Sequence, residues 1–318
     1  MPHRILLALA SAVLVITPYA RAQIASCAEV ECPVVPGTTS AMCTVADKTF
    51  DAVGFTFIRN GPSMFLSWLK GVGAEDVSSS DRVYDQSFYF GTPPGFDFGG
   101  TGACALFFTQ VSESVRFDGD DPRRSQGTCQ QAMSEECVSA LVTRAKAVDL
   151  DGLSGEAACE RLQQDFSSNF DSACSSFATG SRWSGITAHA LSGPGSPEPI
   201  TGQQNASSNC WPVRPKDSSL RLVASLNSTG DTQVETLVDN FFGVTPILTV
   251  FFPGDSDNII SQREASLTCL KAIESATDRN GATDSGENGT VLFEGAGSTQ
   301  CIFIGDGDSV TLYEAQRA

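Results

Sequence analysis

Histidine is the scarcest of the residues that could do chemistry in this chain. Two occur in 318 residues, His3 and His189. His3 falls in a segment that reads as a cleavable leader, so His189 stands alone, in Thr187-Ala-His-Ala190. A metal centre needing two histidine ligands from one chain is thereby excluded. A Ser–His–Asp machine would have to use His189. No G-x-S-x-G elbow accompanies it, since Gly61-Pro-Ser63 and Gly195-Ser196 both fail the spacing. A surface or packed histidine is the plainer reading. A Cys–His nucleophile would need a free thiol beside His189. Carboxylates are plentiful. Glu75, Asp76, Asp81, Asp85, Asp118, Asp120 and Asp121 could supply the acid pair of a glycoside hydrolase. Separation in space selects such a pair, and no spacing along the chain does. Asp118-Gly-Asp-Asp121, Asp255-Ser-Asp257 and Asp306-Gly-Asp308 are short oxygen-rich loops that suit calcium, but none completes an EF-hand. No catalytic, cofactor-binding or metal-ligating residue is therefore assigned.

Cysteine is the more informative reactive side chain. There are eleven: Cys27, Cys32, Cys43, Cys104, Cys129, Cys137, Cys159, Cys174, Cys210, Cys269 and Cys301. All lie downstream of the leader. In an oxidising compartment they read as disulfides. Their density is below the ~8–10% of disulfide scaffolds, so the bridges should staple a hydrophobic core and not replace it. Five bridges leave one thiol over, either buried and inert or joined to another chain, and burial is the commoner fate of an unpaired cysteine.

The leader has three parts. Met1–Arg4 are positive, Ile5–Ile16 are apolar, and Ala20-Arg21-Ala22 is a small-x-small cleavage site before Gln23. The apolar run is about a dozen residues, short of the ~20 a spanning helix needs. Removing residues 1–22 takes away Arg4 and Arg21 and no acid, moving the net charge from −17 to −19. Such a chain repels nucleic acid and anionic membranes, and no membrane insertion is expected. Asn205-Ala-Ser207, Asn227-Ser-Thr229 and Asn288-Gly-Thr290 are glycosylation sequons, each expected on a solvent-facing loop.

The elements that would position these residues change along the chain. In 23–177, strands are predicted around Val53–Phe57, Met64–Leu69, Gln86–Phe90, Ala103–Val111 and Ser114–Phe117 from alternation and turn residues. A helix then starts at the capping box Thr128-Cys-Gln-Gln131 and carries Met133, Cys137, Leu141 and Ala145. A second, from about Gly155, carries Cys159, Leu162, Phe166 and Phe170. Cys129 with Cys174, or Cys137 with Cys159, could pin this hairpin, although helix rise disfavours both together. Residues 178–217 form a Pro/Gly/Ser-rich connection. The C-terminal region, 218–318, has a strand at Leu220–Leu226 and a helix after Thr232-Gln-Val-Glu235. Pro246–Phe252 is a buried strand, Ser261–Ile273 is ambiguous, and a three-strand meander is predicted at the end. The class is α+β, mainly antiparallel, with a disulfide-linked helical hairpin in mid-chain, and the two regions could be one domain.

Ser87-Phe-Tyr-Phe-Gly-Thr-Pro-Pro94, Thr101-Gly-Ala-Cys-Ala-Leu-Phe-Phe108 and Gly127-Thr-Cys-Gln-Gln131 resemble uncharacterised secreted proteins of filamentous ascomycete fungi. The resemblance implies an extracellular location and carries no site residues. The expected function is a secreted, disulfide-stabilised glycoprotein that binds an extracellular ligand, a cell-wall glycan or a protein, without catalysis. The alternative is a carboxylate-dependent hydrolase acting on polysaccharide.

Overall fold

The computed structural model describes residues 24–33, 42–180, 182–206, 210–254 and 257–274, and the backbone of 289–295, 298–304 and 310–314. Among these, the strands are β1 (Cys43–Val45), β2 (Lys48–Phe50), β3 (Ala52–Phe57), β4 (Ser67–Asp76), β5 (Asp81–Thr92), β6 (Gly102–Phe108), β7 (Ile186–Ala190), β8 (Ser219–Asp231), β9 (Thr245–Phe252), β10 (Glu264–Leu270), β11 (Gly289–Gly295), β12 (Ser298–Ile304) and β13 (Val310–Glu314). The helices are α1 (Cys129–Met133), α2 (Glu135–Ala147), α3 (Gly155–Ser168), α4 (Gly202–Ala206) and α5 (Val234–Phe242).

Two four-stranded antiparallel sheets carry the core. One has the order β3-β4-β5-β8, the other β10-β9-β6-β7. Strands from either side of the 178–217 connection share both sheets, β5 with β8 and β6 with β9. The inner faces meet through aromatic rings. Phe107 of β6 lies 5.5 Å from Trp68 of β4 and 5.1 Å from Phe88 of β5, edge-on to both. The Trp68 indole Nε1–H donates to Thr249 Oγ1 at 3.0 Å, giving the buried indole its one needed acceptor.

Each sheet is covered on its outer face too. On the second sheet, Cys104 and Phe108 point away from Phe107 by strand alternation and meet α3, at Cys159 and Phe166. This explains why every residue of β9 is buried and why its sequence is apolar apart from Thr245 and Thr249. On the first sheet, Leu69, Tyr89 and Leu220 pack against Val30, Phe50, Val213 and the sulfurs of Cys27, Cys32, Cys43 and Cys210. A third small cluster seats Leu237, Phe241 and Phe242 of α5 on Val72 and Tyr84. The antiparallel α+β class stands, and β11-β12-β13 form the anticipated meander.

Several local expectations are corrected. The helix from Cys129 is two helices, interrupted at Ser134, whose φ of 62° is outside helical range. Ser134 then caps α2, its Oγ accepting from Cys137 N–H at 3.3 Å, while Glu135 and Glu136 fill the first turn. The apolar spacing runs through the break because Met133 and Cys137 are both buried regardless. The capping box at Thr232 does not form; Gln233 is the N-cap of α5. Residues 114–117 are not a strand, 261–273 resolves as β10, and the 178–217 connection holds β7. The hairpin bridges are neither of the two anticipated. Cys137 joins Cys174, which sits in a 3-10 turn just past α3. Cys159 instead joins Cys104, and Cys129 joins Cys269. Helices packed on a sheet offer their cysteines to strands as readily as to each other, so symmetry about the turn was a poor guide.

Candidate binding groove

A groove of about 300 Å³ opens along one side of the layered core. Three layers form it. Thr56 and Phe57 end β3, the edge strand of the first sheet, and the turn residues Arg59 and Asn60 follow them. Glu135, Val138, Ser139 and Val142 present one face of α2, as their spacing of three and four residues requires. The floor is Ala265–Cys269 of β10, the edge strand of the second sheet. These are five consecutive residues. A sheet face would show only alternate ones, so it is the backbone edge of β10 that lines the groove.

The N-terminal segment sets one end. Ala25 pairs with Phe55 through two backbone hydrogen bonds, of 2.8 and 2.9 Å, covering the edge of β3 at that point. Ile24 lines the groove just beyond that pairing. At the start of α1, Gln131 Oε1 accepts the Thr128 N–H at 2.9 Å, holding Thr128 and Gln130 in the wall. The Cys129–Cys269 bridge ties that wall to the end of β10. Phe57, which lines the groove, belongs to an exposed apolar group with Phe65 and its chain neighbour Met64. Phe57, Phe65 and Met64 are 37%, 43% and 75% exposed, and the Phe57 and Phe65 rings lie 6.3 Å apart.

The lining is rich in hydroxyls and amides: Thr56, Asn60, Thr128, Gln130, Ser139, Ser266 and Thr268. It carries one cation, Arg59, and one carboxylate, Glu135. It can hydrogen-bond a polar chain, and among the described residues that line it there is no second acid of the kind glycoside hydrolysis needs. None of the seven acids named from the sequence lines it. Asp76 pairs with Arg82, Asp85 with Lys48, and Asp121 with Arg123. Asp81 accepts from Ser78 and Ser80, which hold its carboxyl below the usual carboxylate range. His189 lies on β7, the opposite edge of the sheet from β10, with its ring 5.6 Å from Phe107. Burial lowers its pKa. Of the calcium candidates, Asp121 is engaged by arginine, and Asp255, Asp306 and Asp308 lie outside the described residues.

Asn205 and Asn227 are exposed, but on α4 and β8 and not on loops, while Asn288 lies outside the described residues. No helix among the described residues is long and apolar enough to cross a membrane. Sequence reasoning missed the groove because its residues are ordinary and widely separated. Thr128 is read from sequence as part of a capping box, Cys129 and Cys269 as disulfide partners and Phe57 as a strand residue, and none of them as part of a binding surface.

No family model, curated protein or solved structure matches the chain.

Proposed function

We propose that the protein is a secreted, glycosylated binding protein without catalytic activity, and that its ligand is an extended polar chain lying in the groove along β10. The observation that carries this reading is the run of five consecutive β10 residues on the groove floor. An edge strand offers a row of backbone donors and acceptors at a regular spacing, which suits an extended polymer better than a compact small molecule. Side-chain hydroxyls on both walls add further partners, and Phe57, with Phe65 against it, offers an apolar anchor. The single carboxylate among the described residues of the groove supports binding over hydrolysis. The leader, the sequons and the disulfides support export.

The test is a screen of the secreted protein against immobilised cell-wall glycans and an extended-peptide library, run beside Ser139→Trp. That substitution places an indole in the groove from the exposed side of α2. A ligand retained by the native protein and lost with Ser139→Trp, but kept by Val77→Ser on the far β4–β5 turn, is the expected result. Binding indifferent to Ser139→Trp, or release of soluble sugars from a glycan, would overturn the reading.

A further inference from the structure

Four cysteines meet on the outer face of the first sheet. The sulfurs of Cys27, Cys32 and Cys43 all lie within 4.8 Å of one another, and Cys210 Sγ lies 3.8 Å from Cys43 Sγ. The Cα of Cys32 is 5.7 Å from that of Cys43 and 5.0 Å from that of Cys210. Both separations fit a disulfide, and one sulfur can form only one. The two contacts of Cys32 are therefore alternatives, and the cluster must be solved as a set of four.

Four cysteines close in three ways. Pairing Cys27 with Cys32 leaves Cys43 to Cys210, whose sulfurs lie 3.8 Å apart, and gives up both of the Cys32 Cα separations that fit a disulfide. Pairing Cys32 with Cys43 leaves Cys27 to Cys210, which is not among the three sulfurs mutually within 4.8 Å. Pairing Cys32 with Cys210 leaves Cys27 to Cys43, which are both in that close set. We infer that the cluster holds two disulfides, Cys27–Cys43 and Cys32–Cys210. Together with Cys104–Cys159, Cys129–Cys269 and Cys137–Cys174, they use ten of the eleven cysteines. By count the remaining thiol is Cys301, on β12.

Forming the pair converts four thiols to two disulfides and releases four protons and four electrons. Two equivalents of a disulfide oxidant, such as glutathione disulfide, accept them and leave as four thiols. The cluster is sealed by Val30, Phe50 and Val213, all fully buried, so the finished bridges are shielded from exchange. They hold the 24–32 segment against β1 and against the chain at 210. That fixes Ala25 on β3 and Ile24 at the groove. The inference does not depend on what the groove binds.

The same four sulfurs, if reduced, could surround a soft cation such as zinc. The experiment must separate these states. The native secreted protein is alkylated in acid, cut after Met42 with cyanogen bromide and after Glu29 and Glu31 with a glutamate-specific protease, and mapped without reduction. These cuts place all four cysteines on separate peptides. The expected map links the Cys27 peptide to the Cys43 peptide and the Cys32 peptide to the Cys210 peptide, with alkylation at Cys301 alone. The thiol count should fall from one to zero in Cys301→Ser and rise from one to two in Cys27→Ser, the new thiol being Cys43. A Cys32–Cys43 linkage, alkylated cluster thiols, or stoichiometric zinc in the native protein would overturn the assignment. If Cys27→Ser is not secreted, the native map and Cys301→Ser still decide it.

Discussion

Lys70 is the most exposed of this fold's internal decisions to experiment. It sits on β4 with 1% of its surface accessible, between the two sheets. Its ammonium donates to Gly243 O at 3.0 Å and to Thr245 Oγ1 at 3.3 Å, and lies 5.6 Å from the centre of the Phe88 ring. The partners are neutral. Burial, reinforced by the nearby charge of Lys271, lowers its pKa from 10.5 to about 7. The unfolded chain keeps the ordinary value, so between those two pH values the unfolded state binds more protons and stability rises with pH. Below about 7 both states are charged, and the folded state bears the full cost of the buried ammonium, about 5 kcal/mol at 1.36 kcal/mol per pH unit. From pH 6 to pH 8.5, linkage through Lys70 alone should raise the unfolding free energy by about 2 kcal/mol. Lys70→Met keeps the volume and removes the charge. Its loss of two hydrogen bonds changes stability equally at both pH values, so the slope isolates the ammonium. Lys271 also titrates in this range, and because its charge acts on Lys70, the change in slope on Lys70→Met includes that coupling. The assay is urea unfolding at pH 6 and 8.5, with thiols blocked to prevent exchange. An unchanged pH slope in Lys70→Met would refute the claim that this amine is desolvated and unpaired by acid.

Further outcomes follow from single positions. Ser134→Gly should stabilise the protein by roughly 0.5–1 kcal/mol in thermal or urea unfolding. Ser134 has φ 62° and ψ 156°, a conformation costing a non-glycine residue about 1–3 kcal/mol, while the lost cap and added chain entropy return part of it. Gly54→Ala should cost about 3 kcal/mol or more, since its Cβ would lie 1.7 Å from the Lys271 carbonyl oxygen, whereas Gly73→Ala, with nothing nearer than 3.8 Å, should be close to neutral. Trp68→Phe should cost about 2–3 kcal/mol, by leaving Thr249 Oγ1 without its donor and opening space beside Phe107. Raising the pH from 7 to 9 should stabilise the native protein, with Lys271, whose pKa burial lowers to about 8, contributing in the same direction as Lys70.

Much of this architecture could be read along the chain, and the part that could not has a common physical cause. The stripes of α2 and α3, the strand cores of β3, β6 and β9, and the C-terminal meander all depend on neighbours within a few residues. Hydropathy period, length and turn residues suffice for those. β4 was underread because Lys70–Asp76 is glycine-rich and polar, and its place in the sheet comes from ladders with β3 and β5. β7 was hidden for the same reason: Ile186–Ala190 is short and has little alternation, and it is a strand only because β6 lies beside it. Cysteine pairing lies wholly beyond local pattern. Cys129 and Cys269 are 140 residues apart, and a disulfide depends on Cα separation across packed layers. The groove is the extreme case, since Ile24, Phe57, Ser139 and Thr268 carry no signature in sequence. They acquire a common role when two sheet edges and a helix face are brought alongside one another.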